Sequence, residues 1–164
     1  MNSIALLKHA TELSTFAFRA LAEDLADQPL TRVSPDGNHA MWCVGHVAVS
    51  DGMMVAMLTE ADNPLQRWDA LFRSGHTLGD HEADYPPYAE VLAAFDQNRQ
   101  TILAGLDQLT EADLDRPNPQ TPEGFEAFFG TLGKVAASVS LHTMHHRGQL
   151  ADIRRKLSRP PLMA

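Results

Sequence analysis

The chain has 164 residues, a formal net charge of -8 and a hydrophobic fraction of 44%. This size suits one globular domain over residues 1–164 with a single core. The acidic balance argues against a nucleic-acid partner, because no basic stripe offsets phosphate charge. The N-terminus lacks the basic and then apolar run of a signal peptide, and one cysteine, Cys43, allows no internal disulfide. These features predict a cytoplasmic protein.

The first predicted helix covers residues 3–27. Ser3 is the expected cap at its start, and Pro29 lies just beyond its end. Apolar residues recur at helical spacing along it, and the face that they form should point inward. This expected inward face carries Leu6, Ala10, Leu13, Ala17 and Leu21. A turn signal at residues 34–37 separates this helix from the next one.

The second predicted helix, residues 38–60, is apolar nearly all round, which is typical of a buried helix. Its middle is too polar for a membrane span. His46 is the only ionisable group on its row, which otherwise carries Trp42, Val49, Met53 and Met57. A lone histidine in such a helix is more often a hydrogen-bonded core residue than a metal ligand, so His46 alone does not identify a site.

Two further helices are predicted at residues 86–108 and 126–157. The long connection over 61–85 is typical of a crossover between parallel helices. It contains His76 and His81 near acidic residues, where a solvated loop is favoured over a metal site. No run alternates long enough to be a strand, so the chain is predicted to be all-α. Three aromatic residues near the fourth helix are interpreted as core packing residues, with lining of the site as the alternative for one or two of them: Phe125, Phe128 and Phe129.

Two histidines lie four residues apart in the fourth helix, on the face that should pack against the core. His142 and His146 therefore share one side of the helix. A buried imidazole needs a hydrogen-bonding or metal partner. Together with His46, this pair predicts a three-histidine metal site, whereas His145 lies on a mostly polar row at the helix edge. The other members of the core stripe are aliphatic: Leu132, Val135, Val139, Leu150, Ile153 and Leu157.

Three neutral imidazoles suit zinc, nickel or iron, and an open fourth position is typical of a catalytic zinc site. Such an ion would acidify either a water molecule, as in a hydrolase, or a thiol, as in a transferase or isomerase. The nearest carboxylate, Asp51, lies about 140 degrees around the helix from His46. This separation favours a metal-activated nucleophile over general acid–base chemistry. A non-catalytic bundle that binds a metal or a small ligand is the alternative.

Several segments resemble the DinB-like superfamily of DinB/YfiT-like metalloenzymes, over essentially the whole chain. The resemblance implies a four-helix bundle with up-down-down-up topology, a homodimer, and a metal held by His46, His142 and His146. It also implies chemistry on small molecules, because members include thiol-dependent transferases, isomerases and hydrolase-like proteins. The segments are Trp42, Gly45 and His46, the block His142-x-x-His145-His146-Arg147-Gly148-Gln149, and residues 87–96 and 109–114.

The predicted cofactors are a divalent ion (zinc, nickel or iron) and a low-molecular-weight thiol. The predicted partners are a small-molecule substrate and a second copy of the chain, with no nucleic acid and no membrane. Candidates for the surroundings of the metal or for the pocket are His145, Trp42, Ser50, Asn98, Arg99, Arg147 and Gln149.

Overall fold

A computed structural model describes residues 1–75, 78–160 and 162, which form a bundle of helices. His76 lies outside the described residues, and His81 is exposed. Within the described ranges there is no strand, only isolated bridges from Arg32 to His39 and from Pro117 to Thr131. The predicted all-α bundle is confirmed. The helices are α1 (Ser3–Asp24), α2 (Ala40–Thr59), α3 (Asp69–Phe72), α4 (Tyr88–Leu106), α5 (Glu126–Phe129) and α6 (Leu132–Lys156), with 3₁₀ turns at Gln66–Trp68, Glu82–Asp84 and Glu111–Asp115.

The core helix of the bundle is α2, which packs against both α4 and α6. Its mean hydropathy of 1.4 and its length would suit a membrane span, but 83% of that window is buried inside the protein. Asn98 Nδ2 donates to the Ala48 oxygen at 2.9 Å, and Gly105 lies beside Thr59. These two contacts show that α4 runs alongside α2 in the same direction. The up-down-down-up order of the four long helices stays a prediction.

Two helix starts differ from the sequence-based expectation. The single helix predicted over 126–157 is divided into α5 and α6. Thr131 interrupts it, because its backbone is extended (φ -136°, ψ 162°) and its side chain accepts from the Lys134 N–H. The first helix is capped by Asn2 rather than by Ser3, since the Asn2 side chain accepts a main-chain N–H of the first turn.

The predicted inward face of α1 is wrong for Leu6 and Leu13, which are 57% and 55% exposed, whereas Leu21 is buried as predicted. The helix instead turns hydroxyl groups toward the core, and these donate to carbonyl oxygens of the same helix: Thr11 to Leu7 at 2.9 Å and Ser14 to Thr11 at 3.0 Å. Such internal hydrogen bonds remove most of the cost of burying a polar group. The buried residues of α1 are Thr11, Ser14, Phe18, Leu21 and Ala22.

A buried ion pair joins three helices of the core. Arg99 on α4 donates to both carboxylate oxygens of Asp51 on α2, at 2.8 and 2.9 Å, and also to the Thr143 hydroxyl on α6. The side chains of Arg99 and Asp51 are 2% and 0% exposed. Burial raises the pKa of Asp51, and the guanidinium opposes that rise. Thr143 adjoins His142 on α6. The Asp51–Arg99 pair therefore fixes how α6 lies against α2, through its hydrogen bond to Thr143.

Candidate metal centre

The three histidines predicted as metal ligands converge on one point between α2 and α6. His142 Nε2 lies 3.2 Å from the Nε2 atoms of both His46 and His146. One ligand atom from each of the three lies within 4.8 Å of the others, so the cluster could hold a metal ion. Tetrahedral zinc with Zn–N bonds of about 2.0–2.1 Å separates its nitrogen ligands by about 3.3 Å. The two spacings that involve His142 Nε2 fit that requirement.

Hydrogen bonds to oxygen fix the tautomers of two of these rings. His46 Nδ1 lies 2.8 Å from the main-chain oxygen of Phe72. His146 Nδ1 lies 2.8 Å from Gln149 Oε1. Because a carbonyl oxygen only accepts, both Nδ1 atoms carry the proton and both Nε2 atoms are free to bind a metal. The Nδ1 of His142 is buried without a partner among the described residues.

Burial keeps the three imidazoles neutral, which is the form that binds metals. Burial first, and then the neighbouring His146 and His46, lower the pKa of His142 to about 3. Burial also lowers the pKa of His146 to about 4. The pKa of His46 is lowered for the same first reason, desolvation. No proton therefore has to leave these rings near neutral pH before a metal binds.

Close packing around His46 sets its orientation. The Trp42 ring stacks on the imidazole, with centroids 4.5 Å apart and planes 7° apart. On the other side, the Phe72 ring packs directly on Gly45, where any Cβ atom would overlap it. This contact brings the Phe72 oxygen within reach of His46. The sequence spacing of Trp68, Leu71 and Phe72 predicts that they cover the mouth of the bundle, but it does not predict the contact of Phe72 with His46. A glycine next to His46 in a buried helix is the signal for such a close approach.

The sequence profile of the DinB superfamily matches residues 10–150. This span is most of the chain, and it contains all three converging histidines. The chain belongs to the DinB superfamily. A search among curated proteins found no match.

The remaining site candidates of this DinB-superfamily chain lie in different places. His145 is exposed, outside the cluster, with its ring centroid 4.9 Å from that of His146. Ser50 lines the cavity beside the histidines. Asn98 is engaged with main chain of α2. Arg147 lines a separate groove between α1 and α6. Trp42 and Gln149 contact the histidines directly, whereas Arg99 belongs to the buried ion pair.

Gln149 links the three-histidine cluster to Cys43, the single cysteine of the sequence. Its Oε1 accepts from His146, from the Cys43 thiol at 3.3 Å and from Asn38 Nδ2 at 3.4 Å. Burial raises the pKa of Cys43 to about 12. The side chain is therefore held as a thiol, and it serves as a hydrogen-bond donor rather than as a fourth metal ligand.

Two of the three histidines, His46 and His142, line a cleft with two parts. The polar lobe, of about 640 Å³, is lined by Asn63, Gln66, Asp69, Arg73 and Ser74 together with Val49, Phe72 and Pro122. The apolar lobe, of about 440 Å³, is reached past His142 and has its own lining of Met54, Phe128, Leu141 and Ser138. Both lobes share His46, Ser50, Met53, Phe125 and Phe129.

Two of the three phenylalanines predicted to pack in the core are exposed at this cleft, whereas Phe129 packs against the core as predicted. Phe125 and Phe128 are 52% and 58% exposed, so that interpretation of the sequence is wrong for them. Main-chain atoms hold α5 in place instead, because Ser138 donates to the Phe128 oxygen at 2.9 Å and Asn118 to the Phe129 oxygen at 3.0 Å. The rings of Phe125 and Phe128 therefore face the cleft beside the three histidines.

Proposed function

We propose that this chain is a metalloenzyme in which His46, His142 and His146 hold one divalent ion, zinc, nickel or iron. The activity proposed for it is that of a thiol-dependent S-transferase or isomerase acting on a small molecule. The convergence of three neutral Nε2 atoms at the wall of a cleft carries this proposal. A divalent ion held by three protein ligands lowers the pKa of a thiol or a water molecule that occupies its open position.

The charge balance of the surroundings supports an anionic nucleophile. The two fixed imidazoles donate to a main-chain oxygen and to an amide oxygen, which are both neutral. No carboxylate therefore offsets the charge of a bound ion through His46 or His146. A site that keeps its full positive charge favours a bound anion such as a thiolate.

The carboxylates near the cleft support a metal-activated nucleophile over a general base. Asp51 is already ion-paired with Arg99 in the core. Among the described residues that line the two lobes, Asp69 is the acidic one, and it is paired with Arg73. Neither group is free to take a proton from a water molecule, so hydrolysis by general-base catalysis has less support than transfer of a thiol.

An activity screen distinguishes the three candidate functions. Metal-loaded protein is incubated with a panel of low-molecular-weight thiols and an electrophilic acceptor, and separately with ester and amide substrates. Turnover that requires both a thiol and the metal supports the proposal. Thiol-independent turnover of an ester or amide indicates a metal-dependent hydrolase. Stoichiometric metal without turnover of any kind indicates a metal- or ligand-binding bundle.

We also propose that the protein forms a homodimer through the outer face of α1 and the adjoining part of α6. Leu6, Leu13, Phe16 and Met144 on these two packed helices are between 45% and 65% exposed. Apolar patches of this kind mark interfaces, most often around a twofold axis. Light scattering should give twice the chain mass of 18.0 kDa, and Leu13→Lys should give the single mass. Parent protein at the single mass would rule the dimer out.

The cytoplasm is the proposed location. A single buried cysteine held as a thiol supports a reducing compartment. Fractionation of cells, with detection of the protein in the soluble or the membrane fraction, tests this proposal.

A further inference from the structure

The apolar lobe of the cleft exposes large hydrophobic side chains to water, which is unfavourable in free energy. Phe128 and Leu141 are 58% and 70% exposed. The fold does not need the Phe128 ring, because α5 is fixed to its neighbours through main-chain oxygens. Exposed apolar area that serves no packing role, next to a candidate metal centre, is typical of a surface that binds a ligand.

The described lining of the lobe offers few polar partners to a charged group. Apart from the histidines, its polar side chains are Ser50 and Ser138. The Ser138 hydroxyl already donates to the Phe128 oxygen at 2.9 Å. Among the described residues, no lysine, arginine, aspartate or glutamate lines this lobe. A charged group placed here would lose its hydration without gaining a charged partner.

The neighbouring lobe is also lined largely by apolar side chains, including Val49, Phe72 and Pro122, but it carries more polar groups than the apolar lobe does. Gln66, Asp69, Arg73 and Ser74 give it amide, hydroxyl and charged groups. His46 lies where the two lobes meet, because it lines both, and His142 lines the apolar lobe. A ligand whose donor atom sits at the histidines therefore has a polar side and an apolar side available to it.

We infer that the apolar lobe binds an uncharged alkyl or aryl arm of the ligand whose donor atom occupies the open position at His46, His142 and His146. The inference rests on the proposed function and defines its substrate class. The arm packs against Phe125, Phe128 and the methionines of α2, while the polar body of the ligand lies in the polar lobe. Methionine and phenylalanine side chains adapt well to such a flexible apolar partner.

A homologous series of thiols tests this inference without any measurement of turnover. Protein loaded with Co²⁺ is titrated with ethanethiol, butane-1-thiol, hexane-1-thiol and 6-mercaptohexanoate, and binding is followed by the visible absorbance of the ion. Affinity should rise roughly fourfold per methylene, as expected for burial of a CH₂ group. The carboxylate-ended thiol should bind about tenfold more weakly than hexane-1-thiol, because the lobe offers few polar partners to its charge.

A matched pair of variants assigns the effect to the lobe. Phe128→Ser should reduce the gain per methylene to below twofold. Val33→Ser removes an exposed apolar side chain outside both the cleft and the proposed dimer face and should leave the gain unchanged. Unchanged dependence on chain length in Phe128→Ser overturns the inference. Conversion of a dimer to a monomer by Phe128→Ser alone also overturns it, because a second copy would then cover the lobe.

The outcomes separate this inference from the proposed function. Co²⁺ bound by the histidines with equal affinity for all the thiols overturns the apolar arm and leaves the metal centre standing. Failure to bind Co²⁺ at all overturns both. A rise in affinity with chain length that Phe128→Ser abolishes supports both.

Discussion

His46 donates its Nδ1 proton to the main-chain oxygen of Phe72, 2.8 Å away, across a separation of 26 positions in the chain. The short helix α3 therefore orients an imidazole of α2. Gly45 makes the contact possible, because the fully buried Phe72 ring occupies the space that a Cβ would take. The orientation of His46 thus depends on how closely two helices approach each other.

Gly45→Ala should weaken both the fold and the metal centre. The added methyl must displace the buried Phe72 ring, which typically costs about 1–3 kcal/mol for overpacking. It should also move the Phe72 oxygen away from His46 and lower metal affinity. Gly148→Ala on α6 is the matched control, since a Cβ there meets nothing within 4 Å. That control should stabilise its helix by roughly 0.5–1 kcal/mol. Urea unfolding that shows equal effects for both variants contradicts this account.

Gln149→Leu should reduce metal affinity about 10- to 100-fold, the usual loss when a partner of a ligating histidine is removed. Leucine offers no acceptor to His146 Nδ1, so the ring is no longer held with Nε2 toward the other histidines. Gln149→Glu keeps an acceptor oxygen and should retain most of the affinity. Competition with a chromophoric chelator measures both variants. Similar affinities for Gln149→Leu and the parent protein would show that the hydrogen bond does not orient the ring.

Asp51→Ala should destabilise the protein by about 3–5 kcal/mol, because it leaves the Arg99 charge buried without its carboxylate. Asp152→Ala removes an exposed pair with Arg155 and should cost no more than about 1 kcal/mol. The double variant Asp51→Leu with Arg99→Met should recover much of the lost stability. Thermal or urea unfolding of the three proteins gives the comparison. A double variant less stable than Asp51→Ala would show that the charges themselves are required.

The metal-free protein should lose stability as the pH falls from about 6.5 to about 4, and His39 should account for part of this loss. Burial lowers the pKa of His39 from 6.5 to about 4. Its Nδ1 must stay unprotonated, because it accepts the Trp42 N–H at 3.0 Å, while Nε2 contacts the Gly79 oxygen and the Tyr85 hydroxyl, at 3.3 and 3.2 Å. Between these pH values the unfolded chain binds a proton at His39 that the folded chain does not bind, so unfolding becomes more favourable in acid. This residue should contribute up to about 3 kcal/mol to that change.

The His39→Asn variant isolates the contribution of His39 to the loss of stability in acid. Asparagine keeps an acceptor at the start of α2 but does not titrate. Its free energy of unfolding should fall less between pH 7 and pH 4.5 than that of the parent. His9→Asn, at an exposed position of α1, should behave like the parent. Identical pH dependence in His39→Asn and the parent would remove His39 as a source of acid sensitivity.

The sequence contained most of the information needed for the histidine cluster. Spacing placed His142 and His146 on one face of a helix, and the aliphatic stripe around them indicated that this face was buried. The nearly uniform apolarity of α2 indicated a core helix, and His46 was its one ionisable group on that row. These inferences depend on local periodicity, which a helix translates directly into direction.

The inward face of α1 could not be obtained in the same way. Its sequence contains two apolar stripes, and the exposed one includes Leu6 and Leu13. The buried one contains Thr11 and Ser14, whose hydroxyls are satisfied inside the helix and therefore do not require water. Periodicity cannot choose between such faces, because the choice depends on the helices that pack against them.

Tertiary contacts were equally inaccessible from sequence. The Phe72 oxygen is a main-chain atom, which carries no residue-type signal. Arg99 was a candidate for the site, but the structure places it in a buried pair with Asp51. Its influence on the histidines passes through Thr143, beside His142.

Metal analysis of purified histidine variants tests the central claim most directly. The parent should carry one divalent ion per chain, with affinity that falls below about pH 6.5 as protons compete for the imidazoles. His46→Ala, His142→Ala and His146→Ala should each lose stoichiometric metal, while His145→Ala should keep most of it. Loss of the metal in His145→Ala together with its retention in His142→Ala would contradict the assignment of the three ligands.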